Sequence, residues 1–413
     1  MSGRIVAPPS KSLTQRALVA AACAGGGSRV VGPLDAEDPR LLAAALTTVG
    51  WRLRWQRDEV LASGREKVDG AELFLGNNGT GARFLLAQLA ALPGEWRLDG
   101  VPRLRERPFG ALVRALAGLG ADITADSPGE PRLPLCVRGR SLTGGRVRLD
   151  PSASSQFVSA LLLLGPCLRD GVEIVLEAAP PSRPYVALTA EVLAAFGGRC
   201  ESGEDGQIVR ALPGGLRPAT FVVEGDWSAA AFPFAAAAVA GGEVEVAGVR
   251  MDSRQGDAAV AGILAEAGCP VRATTQGVAL AGRATRPVVA ELRDTPDLFP
   301  ALAVVVAVVG GRLTGLGGLA AKESDRLEVM VAHLQTLGFR VGVEDGAFTS
   351  RGGSTGTATP VGALAPAGDH RVAMALAVAG AVVAGVRVAD PECVAKSWPG
   401  FWACWDELVG VAP

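Results

Sequence analysis

Pro151-Ser-Ala-Ser-Ser-Gln-Phe-Val-Ser-Ala160, running on through Leu161 to Leu164, is the stretch whose reading decides the fold. A small-polar cluster opens it, as the capping residues of a helix N-terminus do. The run that follows is apolar nearly all round, so it cannot be a surface helix, which would keep a polar stripe. A helix of this kind belongs in an interior.

The same plan returns along the chain. It is seen in Pro9-Ser-Lys-Ser-Leu-Thr-Gln-Arg-Ala-Leu18 and in Gly76-Asn-Asn-Gly-Thr-Gly-Ala-Arg-Phe-Leu85. The second half adds Glu224-Gly-Asp-Trp-Ser-Ala-Ala-Ala-Phe-Pro233, Asp294-Thr-Pro-Asp-Leu-Phe-Pro-Ala-Leu-Ala303 and Gly368-Asp-His-Arg-Val-Ala-Met-Ala-Leu-Ala377. Starts recur at roughly 70-residue intervals, the signature of a repeat architecture. Between them lie strand-like stretches such as Arg146-Val-Arg-Leu149, Val172-Glu-Ile-Val-Leu176 and Glu243-Val-Glu-Val246. A second, more amphipathic helix is expected over Leu112 to Leu119, Leu188 to Phe196 and Val260 to Ala267, stopped by Gly120, Gly197 and Gly268. The unit is mixed α and β around one buried helix, and six units make two domains of three.

Bulk composition agrees. The 413 residues exceed what one hydrophobic core organises, with 49% apolar and 20% charged residues as in an ordinary globule. A net charge of -2 gives no basic field for nucleic acid. Apolar runs such as Val372 to Val386 stop short of the ~18–20 residues that span a bilayer and read as buried helices. Arg4, Lys11 and Arg16 followed by Ala17 to Ala24 mimic a signal peptide, but the run is short and a patterned polar segment precedes it. Seven scattered cysteines without a Cys-x-x-Cys pair read as buried thiols of a reducing cytosol, and two distant histidines, His333 and His370, exclude a His-rich metal site.

Of 40 basic residues only four are lysine: Lys11, Lys67, Lys322 and Lys396. A single lysine in so arginine-rich a chain reads as chance, but the three that fall inside patterned motifs, Lys11, Lys322 and Lys396, mark places that need a compact, proton-exchanging ammonium. If the buried helices are co-directed, their N-termini converge, each with about half a positive charge and free N–H groups. Around that anion trap stand Lys11, Ser12 and Arg16, with Ser12 and Arg16 on one helical face. Asn77, Gly79, Thr80 and Arg83 come next, the glycine permitting close backbone approach. Arg105-Glu-Arg107-Pro108 places Pro108 at a helix N1 position, and Ser154, Ser155 and Gln156 can recognise oxygen atoms. Ser182-Arg183-Pro184-Tyr185 contains the single tyrosine. In the second half, Asp297 is the candidate general base, and Asp226 reads as a plain cap. Lys322 and Arg326, one helical turn apart, suit a shared anion, with Glu323 as acid or base; Asp369-His370-Arg371 and Lys396 complete the set. Taken singly, each of these charges also fits a solvated surface.

Taken together and in order, the motifs resemble the 5-enolpyruvylshikimate-3-phosphate synthase family of enolpyruvyl transferases. The likeness rests on Pro-Ser-Lys-Ser-x-x-x-Arg at 9–16, Gly-Asn-x-Gly-Thr at 76–80, Glu-Arg-Pro at 106–108 and Ser-Ser-Gln-Phe at 154–157. It continues through Glu-Gly-Asp at 224–226, Pro-Asp at 296–297, Lys-Glu-Ser-Asp-Arg at 322–326, Asp-His-Arg at 369–371 and Lys396. The resemblance implies an inside-out α/β barrel in each of two domains, with buried parallel helices and sheets outside. One domain would span 10–225 and the other 1–9 plus 226–413, with a hinge near 9–11 and 224–227 that closes on the substrates. It implies transfer of the enolpyruvyl group of phosphoenolpyruvate to the 5-hydroxyl of shikimate 3-phosphate, by a cytoplasmic monomer with no metal or organic cofactor and with no nucleic-acid or membrane partner.

By motif, Lys11, Asn77, Gly79, Thr80, Arg107, Gln156, Arg326, Arg371 and Lys396 resemble phosphoenolpyruvate ligands. Lys11, Ser12, Arg16, Ser154, Ser155, Gln156, Ser182, Tyr185, Asp297 and Lys322 resemble shikimate 3-phosphate ligands. Asp297 resembles the group that deprotonates the 5-hydroxyl, and Glu323 and Lys11 the groups that handle the methylene proton. Glyphosate would compete with phosphoenolpyruvate, because Gly79 lacks a crowding methyl. The chain departs from the family at Gly318-Leu-Ala320, where a ligand-holding side chain and an arginine are usual. That departure leaves room for a relative acting on another phosphorylated cyclic alcohol, or a non-catalytic anion-binding homologue. A sister transferase acting on UDP-N-acetylglucosamine would need a Lys-Asn start, where this chain has Lys11-Ser12.

Overall fold

The structure, a computed structural model, describes residues 1–203, 206–353 and 362–410. The chain forms two compact units: residues 10–223, and residues 1–9 together with 224 onward. In the first unit the sequence repeats become the buried helices α1 (Lys11–Cys23), α2 (Gly79–Ala90) and α3 (Gln156–Leu164). In the second they become α4 (Trp227–Ala240), α5 (Phe299–Val309) and α6 (His370–Gly380). Within each unit the three helices pack against one another pairwise. Their alanines make this possible, because small side chains let helices approach closely while Leu, Val and Phe fill the remaining space.

Capping follows the sequence in four of the six. Side-chain oxygens of Asn78, Asp226 and Asp369 accept from the backbone N–H of Gly81, Ala229 and Arg371 at 2.8, 2.9 and 3.0 Å, and Ser10 accepts from Leu13 at 3.5 Å. Asp226 is thus the cap that the sequence indicates. α3 starts without such a bond, and α5 is entered through a 3₁₀ turn, Pro296–Leu298.

Each sheet repeats one topology. Around α2, Gly70–Phe74 pairs parallel with Gly94–Asp99, which pairs antiparallel with Leu135–Gly139 and so on to Asp122–Ala125. The strands around α3 and α5 do the same. At α1 and α4 the entering strands are exchanged. Ser2–Val6 leads into α1 yet pairs with Glu243–Ala247, after α4; Thr220–Val222 leads into α4 yet pairs with Ser28–Val31, after α1. That exchange takes the chain from one unit to the other and back, and explains why the second unit is built from two segments. Among the described residues this gives five four-stranded mixed sheets. Among the described residues, α6 is flanked by one parallel bridge, Leu364 to Val388, and the helix Phe401–Val409 packs on Ser2–Val6.

The amphipathic helices lie at Gly110–Gly118, Pro184–Ala195 and Ala259–Glu266. Gly120, Gly197 and Gly268 follow with φ of +94°, +76° and +103°, the left-handed turn that a side chain resists. Some expectations are corrected. Pro108 is not at N1, because the helix begins two residues later at Gly110, behind Phe109. The apolar run from Val372 stays helical only to Gly380. Of the seven free thiols, Cys269 is buried, Cys167 is exposed and the rest are half-buried, so they are not uniformly core residues. Among the described residues no helix is long and apolar enough to cross a membrane.

The core dominates the caps in energy. Phe232, wholly buried in α4, is predicted to cost ~3–5 kcal/mol on replacement by alanine, whereas Asp226→Ala costs ~1 kcal/mol. Denaturant unfolding of both variants checks this, and equal losses would contradict the ranking.

Candidate functional site

In the first unit the starts of α1, α2 and α3 assemble a polar constellation. Lys11, at the head of α1, pairs with Asp38 at 3.1 Å between Nζ and Oδ2, both groups largely withdrawn from water. The Asp38 carbonyl accepts from Asn78 Nδ2 at 2.8 Å, which ties the head of α2 to the same point. Asp38 sits on the helix Glu37–Thr48 and is missing from the sequence reading. Its available signal was an acidic pair just before a proline at a helix start.

Gly79 leaves room for an arginine. A β-carbon there would collide with the guanidinium of Arg107, which lies directly over the backbone of α2's first turn. Thr80 Oγ1 accepts from Gln156 Nε2 at 2.9 Å, linking the start of α2 to that of α3. Ser154 Oγ accepts from the Gln156 N–H at 3.2 Å, and Ser155 is buried at the cap position. Half-buried Asn77 precedes them. These positions thus gather around three helix N-termini, which favour anions through their partial positive charge and unpaired N–H groups.

Arg16 behaves otherwise than its spacing suggests. It shares a face with Ser12, whose carbonyl accepts from Nη1 at 2.9 Å. The rest of the guanidinium turns inward, Nε donating to Thr189 Oγ1 at 2.8 Å and Nη2 to Ser159 Oγ and the Tyr185 carbonyl. Burial brings its pKa down to about 10. In this structure Arg16 fastens the turn carrying Ser182 and Tyr185 onto α1. Ser182 holds a left-handed φ of +55°, strain that side chains rarely bear away from functional sites.

The second unit holds a denser constellation. Asp297, in the 3₁₀ turn before α5, receives Lys322 Nζ at 3.1 Å, Arg326 Nη1 at 2.7 Å and Arg371 Nη2 at 3.3 Å. It therefore caps no helix. Arg326, 1% exposed, also binds Glu323 through Nη2 at 2.8 Å and Asp369 through Nε at 2.8 Å. Burial opposes its charge, but Asp369, Glu323 and Asp297 outweigh that and hold it protonated. Lys322 and Arg326 do not share a helix turn as the sequence suggests. Lys322 has extended backbone and Arg326 begins the helix, and they meet at Asp297 instead. Asp369 caps α6 and also accepts from Ser324 at 3.1 Å. Lys396 ends the 3₁₀ segment Pro391–Lys396, which packs on α6.

Burial alone would raise Asp297's pKa, yet Arg371, Lys322 and Arg326 pull it well below the carboxylate range, against Glu323. Asp257, also missing from the sequence reading, goes the other way. It is wholly buried and accepts a short hydrogen bond from Ser228. Burial and the nearby charge of Asp297 push it up to about 7, with Arg371 and Ser228 opposing. At Gly318 the backbone is ordinary, and a β-carbon would meet nothing within 4 Å, so the fold does not require glycine there. Among the described residues, no cluster of three or more His, Cys, Asp or Glu is arranged to hold a metal ion.

Comparison with known proteins gives the family. The family described as EPSP synthase (3-phosphoshikimate 1-carboxyvinyltransferase) matches residues 1–405. The 3-phosphoshikimate 1-carboxyvinyltransferase of Syntrophobacter fumaroxidans is 38% identical, over 99% of this chain and 97% of that protein. The protein of that name in Methanoculleus marisnigri is 39% identical, over 96% and 94%. A solved EPSP synthase from Acinetobacter baumannii superposes with a TM-score of 0.76 at 27% identity, covering 99% of this chain and 95% of that one. With a match over nearly its whole length, this chain belongs to the EPSP synthase (3-phosphoshikimate 1-carboxyvinyltransferase) family.

Proposed function

We propose that the two constellations carry out carboxyvinyl transfer from phosphoenolpyruvate to the 5-hydroxyl of shikimate 3-phosphate, each unit contributing its part to one reaction. The observation that carries the reading is Asp297: a partly accessible carboxylate on which Lys322, Arg326 and Arg371 all converge. Anion binding alone gains nothing from a carboxylate placed among its cations. A proton transfer does.

Phosphoenolpyruvate would lie on Lys11, Asn77, Gly79, Thr80, Arg107 and Gln156 in the first unit and on Arg326, Arg371 and Lys396 in the second. Shikimate 3-phosphate would take Lys11, Ser12, Ser154, Ser155, Gln156, Ser182 and Tyr185, with Asp297 and Lys322. Arg16 would act mainly by holding the Ser182–Tyr185 turn. Glu323 or Lys11 protonates the methylene carbon, leaving a cationic centre at the adjacent carbon. The 5-hydroxyl attacks it as Asp297 takes its proton. The resulting tetrahedral ketal expels phosphate and returns the methyl proton, so the enolpyruvyl ether and free phosphate are the products. Every charge the reaction moves sits on a side chain or a substrate, so no metal or organic cofactor is required.

Asp297 in the ligand-free protein is a weak base, because three cations stabilise its anion. Arriving phosphate and carboxylate groups compete for Lys322 and Arg371. As those cations turn to the substrates, the pKa of Asp297 rises toward the range where a carboxylate can accept a proton. Substrate binding thereby creates the base. We take the fold to be the family's inside-out barrel in each unit, hinged where the chain crosses at 9–10 and 223–224, and the enzyme to be a cytoplasmic monomer; the exchanged entering strands support the hinge positions.

Phosphate release from phosphoenolpyruvate, dependent on shikimate 3-phosphate, is the expected activity of the purified protein. A folded sample with no release at millimolar substrates would remove the proposal. Asp297→Ala is expected to keep ligand binding while kcat falls ~100-fold or more, and near-normal kcat would remove Asp297 as the base.

The raised pKa of Asp257 has a consequence for stability. An unfolded aspartate titrates near ~4, whereas the folded group titrates at about 7. The native state therefore binds this proton more tightly. Its stabilising contribution is complete below the unfolded value and is lost as pH rises through about 7. Asp257→Asn keeps an acceptor for Ser228 without the charge. Its stability relative to the parent should grow from pH 5 to pH 8 in urea titrations, and a pH-independent gap would contradict the assignment.

A further inference from the structure

Arg83 lies in the second turn of α2 and is almost wholly buried. Its guanidinium sits between two aromatic rings, 5.2 Å from the centroid of Phe109 and 5.2 Å from that of Phe157. Nη1 donates to Gln156 Oε1 at 2.5 Å and Nη2 donates to the Pro108 carbonyl at 2.9 Å. An arginine has donors and no acceptor, so only the oxygen end of the Gln156 amide can face it. The NH2 end must then face the other way, and there it donates to Thr80 at 2.9 Å. The second bond grips the residue directly after Arg107, whose guanidinium covers Gly79.

We infer that Arg83 is a positioning residue for phosphoenolpyruvate: it touches no substrate, but it turns the Gln156 amide so that its N–H groups face the anion, and it holds the loop that carries Arg107. The inference rests on the proposed placement of phosphoenolpyruvate against Thr80, Gln156 and Arg107. The arrangement needs arginine specifically. A planar guanidinium can stack between two rings while giving two divergent hydrogen bonds, and a lysine ammonium cannot do both. The cost of a misdirected amide is a donor replaced by an acceptor lone pair facing a negative charge.

The test is steady-state kinetics of Arg83→Lys and Gln156→Glu, with melting temperatures. Arg83→Lys should raise KM for phosphoenolpyruvate ~10-fold or more, with a smaller rise in KM for shikimate 3-phosphate, which meets Gln156 among several other ligands, and with kcat within ~3-fold. An unchanged KM for phosphoenolpyruvate would overturn the positioning role. So would a parallel loss in all three constants, which is what general damage produces. Gln156→Glu is nearly isosteric and gives Arg83 a carboxylate to pair with. It should melt no lower than the parent while KM for phosphoenolpyruvate rises ~10-fold or more. A lowered melting temperature would mean that the oxygen does not face Arg83, and decides the matter even if Arg83→Lys does not fold. If Gln156→Glu leaves KM for phosphoenolpyruvate unchanged, the substrate placement itself fails. If it raises KM and Arg83→Lys does not, only the positioning role fails.

Discussion

Arg326 is out of water and remains charged because Asp297, Glu323 and Asp369 surround it. An unpaired buried cation of that kind would cost several kcal/mol, so the arginine depends on the acids as a group, two of which still face it if one is removed. Their positions come from three separate chain elements: the turn before α5, the segment leading into the helix Arg326–Thr336, and the cap of α6. Charge balance therefore fixes how these elements meet, and the repeated helix–strand scaffold exists around that meeting point. Lys322 and Arg371 also pair with Asp297, and in the proposed reaction theirs is the attraction that an incoming anion replaces.

The first unit solves the same problem with fewer charges. Lys11 is balanced by Asp38, and Arg83 by aromatic faces, a carbonyl and an amide oxygen. What remains at these helix starts are backbone N–H groups, hydroxyls and the amide of Gln156, groups that attract an anion without demanding a permanent counter-charge. The acid–base groups and the helix-start cradle are thus built separately, on units whose chain crossings come from exchanged strands.

Much of this was legible in the chain. The apolar helices showed through their lack of a polar stripe, and the glycine stops at Gly120, Gly197 and Gly268 showed because a left-handed residue after a helix nearly demands glycine. The ordered motifs located Asp297, Lys322, Glu323, Arg326 and Arg371, since closely spaced charges at helix starts are a local signal. Other features were not legible because they depend on distant chain. The exchange of Ser2–Val6 with Thr220–Val222 joins segments far apart in sequence, and both look like ordinary strands. Arg16 spaced correctly for an anion site but found protein oxygens on the helix Pro184–Ala195. Asp38 and Asp257 resembled ordinary acids near helix starts, and only burial against Lys11 and Ser228 distinguishes them.

The central claim is that substrates release Asp297 from its cations and so make it a base. Carbon NMR of the Asp297 carboxyl, titrated in the free protein and in its complex with shikimate 3-phosphate and glyphosate, tests this most directly. The account predicts a titration far below the usual carboxylate range in the free protein and a clear upward move in the complex. A midpoint that stays in place or moves down on binding would contradict it.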